Sequence, residues 1–95
     1  MAAYLVVDIK VKDAQQILKY RELAQQAIAQ YGGRYLVRGG ACTTLEGNWQ
    51  PERLVVVEFP SLEQARLFYD SPEYLAARAV RAGAADFDML LVEGT

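Results

Sequence analysis

Two kinds of apolar spacing alternate along this chain. Ala3 to Ile9 reads AYLVVDI, a run of strand formers. From Ala14 to Tyr31, the residues Ile17, Leu18, Ala24, Ala27 and Ile28 recur at helical spacing, with Lys19, Arg21, Glu22, Gln25 and Gln26 between them. That pattern predicts an amphipathic helix. Asp13 is placed as its N-cap with Gln16 as capping-box partner, and Gly32-Gly33 stops it. Arg34 to Arg38 predicts a second strand, with a bulge or kink at Gly39-Gly40 and a bent arm over Ala41 to Leu45 before a turn at Gly47-Asn48. Leu54 to Phe59 is a third strand. Ser61 with Gln64, then Ser71 followed by Pro72, mark two helix starts, predicting helices over Leu62–Tyr69 and Pro72–Ala84. Phe87 to Val92 closes the chain as a fourth strand.

The order β-α-β-β-α-β predicts an α+β, ferredoxin-like domain over residues 1–95, an antiparallel four-stranded sheet with its helices on one face. Strand alternation then sorts side chains into two sets. Leu5, Val7, Ile9, Tyr35, Val37 and Val55 begin an apolar set that continues through Val57, Phe59, Phe87, Met89 and Leu91 and belongs under the helices. The other set holds Tyr4, Val6, Leu36, Leu54, Val56, Leu90 and Val92 beside the charges Asp8, Arg38, Glu58 and Asp88. No helix remains to cover it, and it is too apolar for a face exposed to water. The expectation is that it packs on the same face of a second copy, giving a dimeric α+β barrel with two-fold symmetry. The hydrophobic content of 53% agrees with this, being high for so small a domain.

The charges on that shared face carry the functional question. Charges there must be paired or near water. In one reading Arg38 is an anion-binding fork and Glu58 a base, with Asp8 and Asp88 completing a polar pocket. In the other, Arg38, Glu58 and their neighbours form a satisfied ion network that fixes the register of the dimer. The parity argument requires that no bulge intervene. Trp49 lies in the loop before the third strand, either capping a ligand or partner or forming an amphipathic lid. Tyr74, in Ser71-Pro72-Glu73-Tyr74, is helix punctuation that could also line a cavity under the helices. Tyr20 and Tyr69 read as core residues with wet tips, able to donate to a ligand carbonyl. Arg78 and Arg81 form a solvated basic edge, from which Arg81 could reach a ligand anion.

Composition mainly excludes. The net charge is −2 and the ten basic residues are scattered along the chain, so no basic stripe marks a nucleic-acid or membrane surface. There is no histidine, which removes the commonest general base, the serine-type triad and the usual zinc sites. Three carboxylates on one face lack the spaced oxygen loop of a hard-metal site, so no metal or cofactor is expected. The single Cys42 has no partner for an internal disulfide and no histidine to activate it; a cytoplasmic setting fits. MAAYLVVDIK lacks the basic and apolar regions of a signal peptide. Neither glycine pair matches a phosphate-loop or dinucleotide spacing.

YGGRYLVRGG, WQPERLVVVEFPS, FYDSPEY and the closing LLVEG together resemble a bacterial family, the domain-of-unknown-function family DUF 1330, over nearly the whole chain. The resemblance implies a dimeric α+β barrel of ferredoxin-like halves. The wider superfamily it points to includes cofactor-independent monooxygenases, muconolactone isomerase-like proteins and haem enzymes. The haem branches use a histidine ligand that this chain lacks. One departure is Ile17, where many relatives have an aromatic residue. Three functions stay open: a binder or cofactor-free enzyme for a small organic anion or aromatic, a non-catalytic homodimeric module, and a ligand sensor that would need a further domain.

Overall fold

The computed structural model describes residues 1–95. Its elements are β1 (Ala3–Val11), α1 (Gln16–Gln30), β2 (Arg34–Arg38), β3 (Leu54–Phe59), α2 (Leu62–Tyr69), α3 (Pro72–Val80) and β4 (Ala85–Glu93). All strand pairs are antiparallel and the sheet order is β2-β3-β1-β4. This is the ferredoxin-like α+β fold.

Local signals explain most boundaries. Asp13 accepts hydrogen bonds from the Gln15 and Gln16 amides, both at 3.0 Å, so it caps the turn that leads into α1. Gln16 does not return the bond. Its side-chain amide instead donates to the Val80 and Ala82 carbonyls at 2.8 and 2.9 Å, satisfying groups at the C-terminal end of α3. Ser61 caps α2 through the Gln64 amide at 3.1 Å, and the Gln64 side chain reaches the Tyr31 carbonyl. Ser71 accepts from the Tyr74 amide and donates to the Phe68 carbonyl, which joins the end of α2 to the start of α3.

Two expectations are corrected. The last helix ends at Val80, not Ala84, because β1 runs on to Val11 and pairs with Ala85, so β4 must start early. Gly83, at φ 78°, makes the intervening turn. The bent arm over Ala41 to Leu45 has no regular structure; Gly39, at φ 73°, ends β2 instead.

The core lies between the sheet and the helices. Phe59, Phe68, Tyr74, Ile17 and Val57 are its largest fully buried side chains. Small residues, Ala24, Ala27 and Ala77, let α1 and α3 approach each other. Gly33 is required by packing, since a Cβ there would stand 2.7 Å from the Phe59 ring and 2.8 Å from Ile28. On the opposite side no helix covers the sheet. Leu36, Val37, Leu90 and Val92 are exposed there, Leu90 by 57%.

Candidate functional site

The functional geometry turns on one inserted residue. Arg34 pairs with Glu58, Tyr35 with Val57, Val37 with Val56 and Arg38 with Val55. The register slips between Tyr35 and Val37, so Leu36 is an extra residue, a β-bulge. Beyond it every side chain changes face. Val37, expected in the core, lies opposite Val56 on the open face. Arg38, expected on the open face beside Glu58, lies opposite Val55 on the helix face. The grouping of Asp8, Arg38, Glu58 and Asp88 is therefore divided by the sheet itself.

On the helix face Arg38 borders a cavity of about 40 Å³ between sheet and helices. Leu5, Val7 and Val57 form its floor, and Ala24 and Ile28 of α1 part of its roof. Its polar lining is unusual. Tyr20, Tyr35, Tyr74, Arg21, Arg38 and Arg53 are among its lining residues, with no carboxylate, while most of its exposed wall is apolar. Helical spacing puts Arg21 and Gln25 on the same flank of α1, and Arg38 crosses to α1 by donating to Gln25 Oε1 at 2.9 Å. The Arg38 guanidinium also lies 4.2 Å from the centre of the Tyr35 ring. Arg53 is the residue before β3, where its carbonyl accepts from the Ile9 amide at 3.0 Å. Its guanidinium packs against Gly39 so closely that a Cβ there would collide with it.

These cations are not neutralised by the protein. The carboxylate ion pairs are Lys12–Asp86, Lys19–Glu22 and Arg34–Glu58, none of which includes a cavity arginine. Arg21 Nε is buried without a hydrogen-bond partner. Burial, and then the charges of Arg21 and Arg38, lower the pKa of Arg53 from the ordinary arginine range. Burial raises Tyr35, against the pull of Arg38 and Arg53.

Tyr20 and Tyr74 meet at one side of the cavity with hydroxyls 2.7 Å apart. Arg81 donates to both, at 3.3 and 3.0 Å, and its guanidinium rests 3.8 Å from the centre of the Phe87 ring. Arg81 thus holds the tyrosines from behind and does not line the cavity. Burial holds the Tyr20 hydroxyl well above the usual phenol range, reinforced by Tyr74 and partly offset by Arg81. Tyr20 is a neutral hydrogen-bonding group at ordinary pH.

The open face carries the acids. Glu58 accepts from Arg34 Nε at 2.7 Å and from the Tyr4 hydroxyl at 3.2 Å. Arg34, not Arg38, is its partner. Asp8 is only 5% exposed, faces Asp88 and Leu54 across the ladders, and accepts from Trp49 Nε1 at 3.1 Å through Oδ2. Its Oδ1 has no partner. Trp49 accordingly lies over the open face, away from the cavity, and Asp88 is exposed. No group of three or more Asp, Glu, Cys or His side chains is placed to hold a metal ion, and no helix is long and apolar enough to cross a membrane.

Of the residues singled out in the sequence, the structure brings Tyr20, Arg38 and Tyr74 to one cavity, with Arg81 behind the two tyrosines. Glu58, Asp8, Trp49 and Asp88 are on the other face. Arg21 and Arg53 were not foreseen as site residues. Each reads locally as an ordinary solvated charge, and only the fold makes them neighbours.

A model of the family described as "Domain of unknown function (DUF1330)" matches residues 2–95. The chain belongs to that family. No curated protein matches this DUF1330 chain by sequence. Among solved structures, a protein of unknown function from Rhodopseudomonas palustris superposes with a TM-score of 0.76 at 16% identity, covering 99% of this chain and 82% of that one. SnoaB from Streptomyces nogalater, described as a cofactor-independent oxygenase, gives 0.66 at 12% identity over 99% and 93% of the two chains. A protein from Jannaschia sp., described as dimeric and ferredoxin-like, gives 0.67 at 10% identity over 99% and 100%. At these identities the likeness is one of fold.

Proposed function

We propose that this DUF1330 protein binds a small organic anion in the cavity beneath its helices and does so as a homodimer joined through the open sheet face. The observation that carries the first part is the gathering of Arg21, Arg38 and Arg53 around an apolar cavity that no carboxylate lines. Arg21 and Arg53 are partly buried and Arg38 is exposed beside them; neighbouring cations repel one another, and an anion between them relieves the repulsion and the desolvation of the two partly buried ones. The dimer is supported by the exposed apolar face formed by Leu36, Val37, Leu90 and Val92, and by the dimeric description of the Jannaschia protein of the same fold.

The two readings left open by the sequence divide between the faces. The ligand reading belongs to Arg38, and the ion-network reading to Glu58 with Arg34 and Tyr4. Glu58 pairs with Arg34 and Tyr4 on the open face, so this reading gives it no part in the cavity. The cavity offers cations and neutral hydroxyls. Such a set stabilises a negative charge, whether on a bound carboxylate or developing on a reacting oxygen. The shared fold with a protein described as a cofactor-independent oxygenase is compatible with chemistry of that kind.

An NMR titration with propionate and with propionamide tests the anion site. Propionate is expected to move the Arg21, Arg38 and Arg53 side-chain signals, and propionamide to leave them in place. Loss of one charge-assisted contact is worth about 1.5–3 kcal/mol, so Arg38→Gln and Arg53→Gln should each weaken propionate about 10–100-fold. Glu58→Gln should leave binding unchanged. Equal response to acid and amide, or a Glu58→Gln defect as large as that of Arg38→Gln, would refute the assignment.

A further inference from the structure

The arginine-ringed cavity is too small for most metabolites. At about 40 Å³ it has room for roughly three waters, whereas small-molecule sites start near about 300 Å³. A second space adjoins it. Between α2 and β4 runs a groove of about 310 Å³, walled by Leu5, Ala65, Tyr69, Met89 and Leu91, with Arg66 and Asp70 among its remaining lining residues. Leu5 and Met89 line both spaces, so these side chains are the partition between them.

The two are not equally able to move. Leu5 is buried in β1, an inner strand paired on both sides. Met89 is only partly buried and sits on β4, an edge strand. Its unbranched thioether has three rotatable bonds and adapts to irregular spaces at little cost.

We infer that Met89 is a movable wall, and that the site takes a monocarboxylic acid with an unbranched apolar tail. The inference rests on the anion-site reading above. The carboxylate sits among Arg21, Arg38 and Arg53, and the tail passes the displaced Met89 thioether into the groove against Tyr69 and Leu91. Charge sets the direction: the groove's own cation, Arg66, is accompanied by Asp70, while the cavity arginines have no acid beside them. The side chains the tail would meet first, Leu5, Met89 and Leu91, are apolar, with Arg66 and Asp70 at the groove's polar part.

A series of straight-chain carboxylates from propionate to octanoate, titrated by NMR, tests this. In the wild type, Kd should fall by up to about fourfold for each added methylene, and nuclear Overhauser contacts should join the terminal methyl of octanoate to Tyr69 and Leu91. Met89→Phe, which fills the passage with a stiff ring, should abolish the gain with length, read as the ratio of octanoate to propionate affinity whatever happens to propionate itself. Met89→Leu controls for folding and should retain part of the gain. A length dependence unaltered by Met89→Phe, or no length dependence in the wild type, overturns the movable wall while leaving the anion site standing. Failure of propionate itself to bind overturns both.

Discussion

Beneath its helices the sheet of this protein meets a cavity ringed by arginine; on its other side the same strands present carboxylates set among exposed apolar residues. The two faces differ in how charge is satisfied. On the open face Glu58 has donors from Arg34 and Tyr4, and Asp8 has one from Trp49. On the helix face the exposed Arg38 has the neutral partners Gln25 and the Tyr35 ring, and none of the carboxylate ion pairs includes Arg21, Arg38 or Arg53. A charge answered within the chain is a structural device. A cluster without carboxylate partners is the basis of the proposed ligand site. The contrast teaches where to look for a ligand: the proposed site is on the side where the protein's own carboxylates do not pair with its arginines.

The sharpest way to separate the faces is to remove one large apolar side chain from each. Phe59 is fully buried under the helices, and Phe59→Ala should cost about 3–5 kcal/mol in urea unfolding. Leu90 is more than half exposed in the single chain. Leu90→Asp should leave the chain folded and weaken the proposed dimer about 30-fold, the effect of losing about 2 kcal/mol at an interface, read by sedimentation equilibrium. A Leu90→Asp protein that dimerises like the wild type would show that the open face is not the interface.

An intermediate effect is expected where the loop crosses the open face. Trp49→Phe removes the indole donor and leaves both oxygens of the buried Asp8 without a partner. The expected cost is about 1–3 kcal/mol. An Asp8→Ala/Trp49→Phe double-mutant cycle with no coupling would mean that the bond does not hold the loop.

The smallest effect separates the faces by pH. Tyr20 has its folded-state pKa raised above the ordinary phenol value of 10.0 by burial. Below that value both folded and unfolded chains keep the proton, and the contribution of this group to stability is fully present. As pH rises above 10.0 the unfolded chain loses the proton first, so stability falls, by at most about 1.4 kcal/mol per pH unit for one group. Tyr20→Phe should therefore flatten the alkaline loss of stability. It should not abolish it, since Tyr35 is raised in the same sense. An unchanged alkaline slope in urea titrations at pH 8 and 11 would assign the loss to other groups.

Much of this was legible before folding. The helix starts at Ser61 and Ser71 are capped by those residues, because a cap depends only on a side chain and an amide a few residues away. The bounds of β2, β3 and α2 are those expected, and the uncovered apolar face was apparent from alternation. Tyr74, read mainly as helix punctuation with a cavity-lining role as the alternative, is among the cavity's lining residues. The composition of the site was less legible. Arg21 and Arg53 are separated by the rest of α1, β2 and a long loop, and neither differs locally from a solvated surface charge.

What the sequence by itself determined was everything that repeats with a short period or closes within one turn: the element order, the ferredoxin-like topology, the caps, and the presence of two unlike sheet faces. What only the tertiary structure decided was which face receives Arg38. Leu36 and Val37 are both apolar and suit either side, so nothing local reveals the inserted residue. The bulge is a property of how β2 pairs with β3, and one extra residue reverses the side of all that follow. That reversal takes Arg38 from Glu58 and gives it to Arg21 and Arg53, turning an expected ion network into a cationic cavity.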